Sequence, residues 1–204
     1  MSKVQYYCAA TLDGFIADAN DGIDWLTGYQ GSYEGEDAEP GPMSGGGSYE
    51  RFYEGVGALV SGSVTYEFVL EHIRGGGSWP YAGKPCWVLS SRDQPTPEQE
   101  DADVRIVRGE VPELFDEMIA SAGEGNLWVV GGGNIASQFS DAGLLDELHL
   151  TVVPVVLGEG KPLFDRGLPE PLQLTGTRAF ETGMVELRYE IRRPRLPPPG
   201  AQAP

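Results

Sequence analysis

The chain has 204 residues, of which 40% are hydrophobic and 22% charged, enough for one globular domain with a sizeable core. Its formal net charge of −17 excludes nucleic acid and anionic membranes as expected partners, because both carry negative charge themselves. No apolar run has the length of a membrane span, and the N-terminus shows no secretory pattern. We therefore expect a cytoplasmic protein, with Cys8 and Cys86 as buried thiols.

Apolar patterns, separated by turn residues, predict the elements in chain order. The predicted strands cover 4–10, 58–61, 85–89, 104–107, 126–130, 147–156, 172–178 and 184–192. The predicted helices cover 49–56, 64–72 and 112–122, and one more follows residue 133 and ends near residue 143. The segment 28–47 is a long Gly-rich connection that could act as a lid, and 194–204 is a Pro-rich tail expected to be disordered. The expected domain is therefore 1–193.

The order of these elements predicts the fold class. Strands and helices alternate through the first three quarters of the chain, and the end is rich in strands. This order is typical of a three-layer α/β/α domain whose central mixed sheet is mainly parallel and ends in antiparallel strands. Ligands of such sheets bind at the carboxyl ends of the strands. Four polar turns fall at these ends, at 13–14, 62–63, 90–92 and 131–133, which makes a nucleotide-sized site plausible there.

The triple glycine at 131–133 is the most informative of these turns. A buried strand precedes it and a helix follows it. Bare backbone N–H groups and a helix N-terminus therefore meet at one point, where a phosphate is favoured. Two further triple glycines, at 45–47 and 75–77, show that the glycines alone are weak evidence.

Several polar residues have ordinary structural interpretations when each is taken in isolation. Ser63 is expected to be a helix N-cap, and 90–92 could be a plain polar turn. Asp13 before a glycine is expected to stabilise a turn. His72 and His149 have no partner pattern for a metal site or a catalytic triad, so we expect structural roles and no metal.

Residues near the Gly-rich connection are candidates for the substrate pocket. Asp24 stands beside an apolar pair that includes Trp25, an arrangement that could form a pocket wall. Glu50 lies on the helix that follows the connection. Tyr49 and Tyr53 on the same helix could line the cleft or belong to the core, and the sequence favours neither alternative.

The chain resembles the dihydrofolate reductase-like superfamily. In particular it resembles the branch related to the C-terminal reductase domain of the bifunctional deaminase-reductase of riboflavin biosynthesis. The resemblance rests on the order and spacing of five stretches and covers nearly everything except the tail. The stretches are Ala9 to Ala17, Ile23 to Leu26, Ala58 to Glu67, Gly83 to Ser91, and Val129 to Phe139 with its continuation to Phe164.

This resemblance implies NADPH as the cofactor, lying across the strand exits. The positions that match nicotinamide contacts are Ala9, Ile16 and Ala17. Those that match the pyrophosphate and adenosine side are Gly62, Ser63, Val64, Thr65, Leu89, Ser90 and Ser91, with Arg92 added for the 2′-phosphate. Those that match the second phosphate loop are Gly131, Gly132, Gly133, Asn134, Ile135 and Gln138. The resemblance also implies a cis peptide between Gly131 and Gly132, and a homodimer.

The substrate signatures of the superfamily are incomplete in this chain. No acidic residue follows Trp25 on its helix, where the folate reductases hold the pterin ring. Residues 66–70 read Tyr-Glu-Phe-Val-Leu, where the riboflavin-pathway reductases carry an Ala-Asp-Asn-Pro-like stretch with an arginine. The expected chemistry is hydride transfer to a pterin-like or pyrimidine-like heterocycle, with a proton from water near Asp24 and Trp25 or from Glu50. The alternatives are the 5-amino-6-(5-phosphoribosylamino)uracil reductase step and a non-catalytic NADPH-binding protein.

Overall fold

The structure, a computed structural model, describes residues 2–29 and 48–191, so most of the Gly-rich connection and the Pro-rich tail lie outside the described residues. The strands are β1 Val4–Thr11, β2 Phe15–Ala17, β3 Val56–Gly62, β4 Cys86–Leu89, β5 Val104–Val107, β6 Asn126–Val130, β7 Glu147–Val153, β8 Lys161–Pro162, β9 Gln173–Ala179 and β10 Val185–Glu190. The helices are α1 Asp24–Thr27, α2 Ser48–Glu54, α3 Ser63–Arg74, α4 Val111–Ser121 and α5 Gly133–Asp141.

Eight of these strands form one sheet, in the order β5-β4-β3-β6-β1-β7-β10-β9. The first six strands of that order are parallel to one another. Strand β10 runs antiparallel to β7, and β9 runs antiparallel to β10. The predicted mainly parallel sheet that ends in antiparallel strands is therefore confirmed. Its geometry places the carboxyl ends of β4, β3, β6 and β1 along one edge.

Side chains alternate between the two faces of the sheet, as the two-residue period of a strand requires. In β6, Leu127 packs with the core that contains Phe139 of α5, whereas Trp128 packs with the core that contains Phe52 of α2. Helix α4 joins the first core and α3 the second. The result is the three-layer arrangement, with each fully buried large apolar side chain stabilising the fold by roughly 1.5–3 kcal/mol.

A second, two-stranded sheet pairs β2 with β8, and the sequence did not predict it. Ala17 lies opposite Lys161, and the neighbouring Gly160 approaches so closely that a Cβ on it would lie 2.3 Å from the Ala17 carbonyl oxygen. A Cβ on Gly133 would likewise lie 2.5 Å from the carbonyl oxygen of Pro162. The small sheet thus holds the segment after β1 against the beginning of α5.

Two further local predictions have opposite outcomes. Strand β7 ends at Val153 rather than at residue 156, because Pro154 follows and has no N–H to continue the ladder. Cys8 and Cys86 are buried free thiols, as predicted.

None of the described helices is long and apolar enough to cross a bilayer.

Candidate cofactor and substrate site

Helix α3 begins directly at the carboxyl end of β3. Its N-cap residue is Gly62, with φ −88° and ψ 171°, and no side chain caps the helix. The predicted N-cap role of Ser63 is therefore wrong, since Ser63 already has helical geometry as the first residue of α3. Its hydroxyl instead accepts a 3.4 Å hydrogen bond from Nη2 of Arg92.

The glycine loop after β6 leads into α5 in a similar way. Gly131 has φ +82°, Gly132 is the N-cap with φ −43° and ψ 134°, and Gly133 is the first helical residue. The predicted cis bond between Gly131 and Gly132 is wrong, because the described residues contain no cis peptide. The left-handed conformation of Gly131, which glycine adopts without steric cost, turns the chain with a trans bond.

The N-termini of α3 and α5 meet in front of the sheet. The Gly132 N–H donates to Oγ1 of Thr65 at 3.4 Å. A Cβ on Gly62 would lie 3.2 Å from Cγ1 of Ile135, so the start of α3 lies directly against α5. Two helix N-termini at one point present unpaired N–H groups and two positive dipole ends, which favours a pyrophosphate.

The turn after β4 brings a positive charge to the same place. The Ser90 hydroxyl is buried, donates to the Arg92 carbonyl at 2.8 Å and accepts from the Arg92 N–H at 3.1 Å. This turn lets the exposed Arg92 guanidinium reach the first turns of α3, where Nη2 lies 2.8 Å from Oε1 of Glu67. Glu67 also accepts a 2.7 Å bond from Gln94. The structure thus brings together Ser63, Thr65, Arg92 and the glycine loop.

The remaining residues predicted for the second phosphate loop lie on the first turns of α5. Asn134 is exposed, and its amide donates to Asp165 at 2.8 Å. Gln138 donates to the Asn134 carbonyl oxygen at 2.8 Å. These side chains already bind partners inside the protein, so the backbone N–H groups are the stronger candidates for phosphate contacts.

The three positions predicted for the nicotinamide lie near the end of β1 and in β2. Ala9 is half-buried and packs against the cluster of Leu26, Val153 and Met184. Ile16 packs against the opposite core, and Ala17 pairs with β8. All three lie at the carboxyl edge of the sheet, where the resemblance placed them.

Asp13 stabilises the turn after β1, as predicted. Its carboxylate accepts a 2.6 Å bond from the Thr11 hydroxyl and a 2.7 Å bond from the Gly158 N–H. The hydrogen bond from Thr11 does most to lower the pKa of Asp13, and the bond from Gly158 is the second largest cause. The carboxylate therefore ties the β1 turn to the segment after β7.

Two polar atoms on the substrate side are buried without a hydrogen-bond partner among the described residues. They are Nε1 of Trp25 in α1 and Oε2 of Glu50 in α2. An unpaired buried polar group costs about 1–3 kcal/mol, so such atoms often mark a place where a ligand or water binds. Asp24, by contrast, is exposed at the start of α1.

Tyr49 and Tyr53 belong to an aromatic cluster that covers β6. Their rings stack with centroids 5.7 Å apart, and both pack against Trp128 at 6.0 and 6.2 Å. Burial raises the pKa of Tyr49 to about 12, so its phenol stays neutral. These contacts favour core packing, and a substrate contact by either tyrosine stays a prediction.

Within the described ranges, neither histidine belongs to a group of side chains that could hold a metal ion. The residues that the structure describes contain no group of His, Cys, Asp and Glu able to hold a metal ion. His149 Nε2 lies 3.2 Å from Oε2 of Glu147 on the same strand. Its ring also packs 5.4 Å from that of Phe52, which supports the structural role expected for it.

Sequence reasoning missed two polar residues beside Ala9. Thr151 of β7 lies directly opposite Ala9, and Glu186 of β10 lies opposite Thr151. Glu186 is only 3% exposed. The alternation of β10 places Glu186 on one face with Arg188 and Glu190, but its burial within the sheet cannot be read from the sequence.

The model of the RibD C-terminal domain family matches residues 79–186, more than half of the chain. The chain belongs to this family. Its domain is reductase-like, which confirms the resemblance to the riboflavin-pathway branch of the dihydrofolate reductase-like superfamily. The matched segment contains β4, α4, β6 and α5, and with them Arg92 and the glycine loop.

Similar proteins support the same assignment. The uncharacterized protein YwjB of Bacillus subtilis (strain 168) is 33% identical over 190 residues, covering 92% of this chain and 97% of that protein. A putative riboflavin biosynthesis protein from Shewanella sp. PV-4 has a similar structure, with a TM-score of 0.73 and 26% sequence identity. The match covers 94% of this chain and 99% of that one.

A more distant structure shows the fold alone. It is a diaminohydroxyphosphoribosylaminopyrimidine deaminase/5-amino-6-(5-phosphoribosylamino)uracil reductase from Thermotoga maritima, with TM-score 0.63 and 14% identity. The match covers 94% of this chain and 57% of that one.

Proposed function

We propose that this protein is an NADPH-dependent reductase that transfers a hydride to a C=N or C=O carbon of a pterin-like or pyrimidine-like heterocycle. The observation that carries the proposal is the junction between α3 and α5, where the Gly132 N–H meets the Thr65 hydroxyl. Arg92 lies beside Ser63 at the same junction and supplies a cation in a chain of strongly negative net charge. Together these groups fit a pyrophosphate and a 2′-phosphate.

NADPH, when bound, supplies the hydride, and the chain orients both reactants and supplies the proton. The backbone N–H groups at the starts of α3 and α5 hold the pyrophosphate, and Arg92 binds the 2′-phosphate. Ala9 at the end of β1 forms the floor beneath the reacting rings. The substrate nitrogen of a C=N group, or the oxygen of a C=O group, takes its proton from Glu50 or from water near Asp24 and Trp25.

The riboflavin-pathway reduction of 5-amino-6-(5-phosphoribosylamino)uracil is the second candidate. The family membership and the likeness to the Shewanella protein favour it. The segment after Ser63 argues against it, because Tyr66 is buried there and donates a 2.6 Å bond to the Pro95 carbonyl. That position is part of the core and offers no contact for a sugar phosphate.

Cofactor binding and turnover test the proposal in two steps. Quenching of tryptophan fluorescence by NADPH and NADH measures both affinities, and we expect tighter binding of NADPH. NADPH oxidation is then followed with dihydropterins, dihydrofolate and the ribosylaminopyrimidine as substrates. Turnover of the ribosylaminopyrimidine alone would establish the second candidate. Binding of NADPH with no turnover of any heterocycle would establish a non-catalytic NADPH-binding protein instead.

The homodimer is also a proposal. The outer strand β9 is largely exposed, including Leu174 at 51%. An exposed strand edge pairs readily with a second edge, which supports dimerisation through the C-terminal strands. Light scattering coupled to size-exclusion chromatography tests it, and a monomeric mass at micromolar concentration would contradict it.

A further inference from the structure

Rows of side chains cross the face of the sheet that α1 and α2 cover. Residues directly opposite one another in neighbouring strands project to the same face. The register of β1, β7 and β10 therefore aligns Tyr7, His149 and Arg188 in one row. The next row toward the carboxyl end of β1 contains Ala9, Thr151 and Glu186.

The two helices cover the rows on either side and leave this row between them. Phe52 of α2 packs on Tyr7 and His149, with ring centroids 4.5 and 5.4 Å apart. On the other side, Leu26 of α1 packs with Val153 and Met184. Among the described residues, the Ala9, Thr151 and Glu186 row thus lies between the contacts of α1 and those of α2, and Ala9 itself packs on the α1 side.

The polar groups around this gap are unusual for a core. Glu186 is 3% exposed, and Arg188 holds it through Nε at 2.7 Å and Nη2 at 2.6 Å. Tyr7 in the adjacent row is buried, and burial raises the pKa of its hydroxyl, so the phenol stays neutral. Trp25 of α1 packs with the same cluster as Ala9, and its Nε1, like Oε2 of Glu50 in α2, is buried with no hydrogen-bond partner among the described residues.

A buried carboxylate is costly unless charged or hydrogen-bonding groups compensate it, so its placement next to a reaction centre calls for a reason. Ala9 is the residue that the resemblance places at the nicotinamide, and Thr151 and Glu186 follow it on the same row. The Thr151 hydroxyl and the Glu186 carboxylate are therefore the polar groups next along the row from a ring that lies over Ala9.

We propose that Glu186 is the carboxylate that binds the amidine-type N–H edge of the heterocyclic substrate, with the Thr151 hydroxyl as the second contact. This edge consists of a ring N–H and an adjacent amino group, two donors that a carboxylate accepts through charge-assisted hydrogen bonds, here in addition to those from Arg188. The inference rests on the proposed function. It places the substrate-binding acid on β10, in a chain whose helix α1 has no acidic residue after Trp25. Arg188 is then a positioning residue, since it fixes the carboxylate without contacting the ring.

The test uses 2,4-diaminopyrimidine as the probe, titrated into the full chain in the presence of saturating NADPH. The isosteric variant Glu186→Gln keeps the shape of the side chain and removes its charge. We expect the dissociation constant of the probe to rise about 10- to 100-fold, the range for hydrogen bonds to charged groups. The NADPH affinity should stay within about twofold of wild type, because the phosphate contacts lie at α3 and α5.

Glu190→Gln is the matched control. Glu190 lies on the same strand and the same face but is exposed, two rows away and opposite Glu147. This variant should bind the probe like wild type. If the Gln variant of Glu186 unfolds, Glu186→Asp and Thr151→Val replace it, and each should weaken probe binding several-fold with NADPH binding retained.

The two proposals fail in different ways. Equal probe affinity in wild type and in the Glu186 variants, or no probe binding by the wild-type chain, overturns the role of Glu186. A parallel loss of probe and NADPH affinity at an unchanged unfolding midpoint also overturns it, because the effect is then not local to the substrate. Probe binding that depends on Glu186, in a chain that does not bind NADPH, overturns the proposed function and supports the inference.

Discussion

Gly131 lies so close to Thr65 that a Cβ on the glycine would be 2.1 Å from the threonine Oγ1. The two residues belong to different strand exits, one after β6 and the other in the first turn of α3. Their contact fixes the distance between the two helix N-termini that the proposed pyrophosphate site requires. The absence of a side chain at residue 131 is therefore a condition for the site to exist.

Gly131→Ala should destabilise the fold, because the new Cβ clashes with Thr65 and because φ +82° is unfavourable for alanine. We expect a loss of roughly 1–3 kcal/mol in the free energy of unfolding, measured by urea denaturation. The control is Gly132→Ala, where a Cβ would meet nothing within 4 Å. It should keep the stability of wild type but lose NADPH affinity, since a methyl group then lies where a phosphate approaches. Equal stability of both variants would contradict this account.

Arg92 should set the preference for NADPH over NADH. Arg92→Gln removes a charged hydrogen bond to the 2′-phosphate, so NADPH binding should weaken about tenfold while NADH binding stays unchanged. Arg166→Gln is the control, because Arg166 pairs with Asp141 at the same 2.8 Å that joins Arg92 to Glu67. Fluorescence titration with both cofactors measures the effect. A similar loss of NADH affinity would show that Arg92 does not bind the 2′-phosphate.

Glu50 should matter more for turnover than Asp24. Oε2 of Glu50 is buried without a described partner, whereas Asp24 is exposed and can exchange its contacts with water. We expect Glu50→Gln to lower kcat at least tenfold and to leave NADPH affinity unchanged, and Asp24→Asn to have a smaller effect. Glu54→Gln, an exposed position one turn later on α2, is the control. If neither Glu50→Gln nor Asp24→Asn changed turnover of a true substrate, the proposed source of the proton would be wrong.

Local patterns predicted most of the fold, because a continuous apolar strand such as β6 and a glycine-flanked helix such as α5 are encoded by neighbouring residues. The β2–β8 sheet escaped prediction, since Ala17 and Lys161 are far apart in the chain and both strands are very short. The glycine loop lies between a strand and a helix, as predicted. The predicted cis peptide in it was wrong, because Gly131 can turn the chain in more than one way.

The substrate side was harder to predict than the cofactor side. Phosphate loops depend on backbone and glycine, which leave a sequence signal, whereas Glu186 acquires its role from the order of three strands. The alternation of β10 identifies Glu186 as one of a set of like-facing residues. Only the register shows that it shares a row with Thr151 and with Ala9, the position that the proposed function places at the nicotinamide.

Glu147 should make the stability of the fold depend on pH in the acidic range. The pKa of Glu147 is lowered to about 2 although the carboxyl is partly buried. The hydrogen bond with His149 is the largest cause, and the bonds from Lys3 and Gln5 contribute less. A carboxyl whose pKa is lower in the folded chain than in the unfolded chain stabilises the fold above the unfolded pKa. That contribution should be lost as the pH falls from about 4.5 to about 2.

Glu147→Gln tests this dependence. At neutral pH the variant should unfold at a lower urea concentration than wild type, because the ion pair between Lys3 and Glu147 joins β1 to β7. Near pH 2 the two proteins should converge, since the wild-type carboxyl is then protonated as well. Glu181→Gln, at an exposed turn, is the control and should follow wild type throughout. A constant difference between Glu147→Gln and wild type at every pH would show that the glutamate acts through packing rather than through its charge.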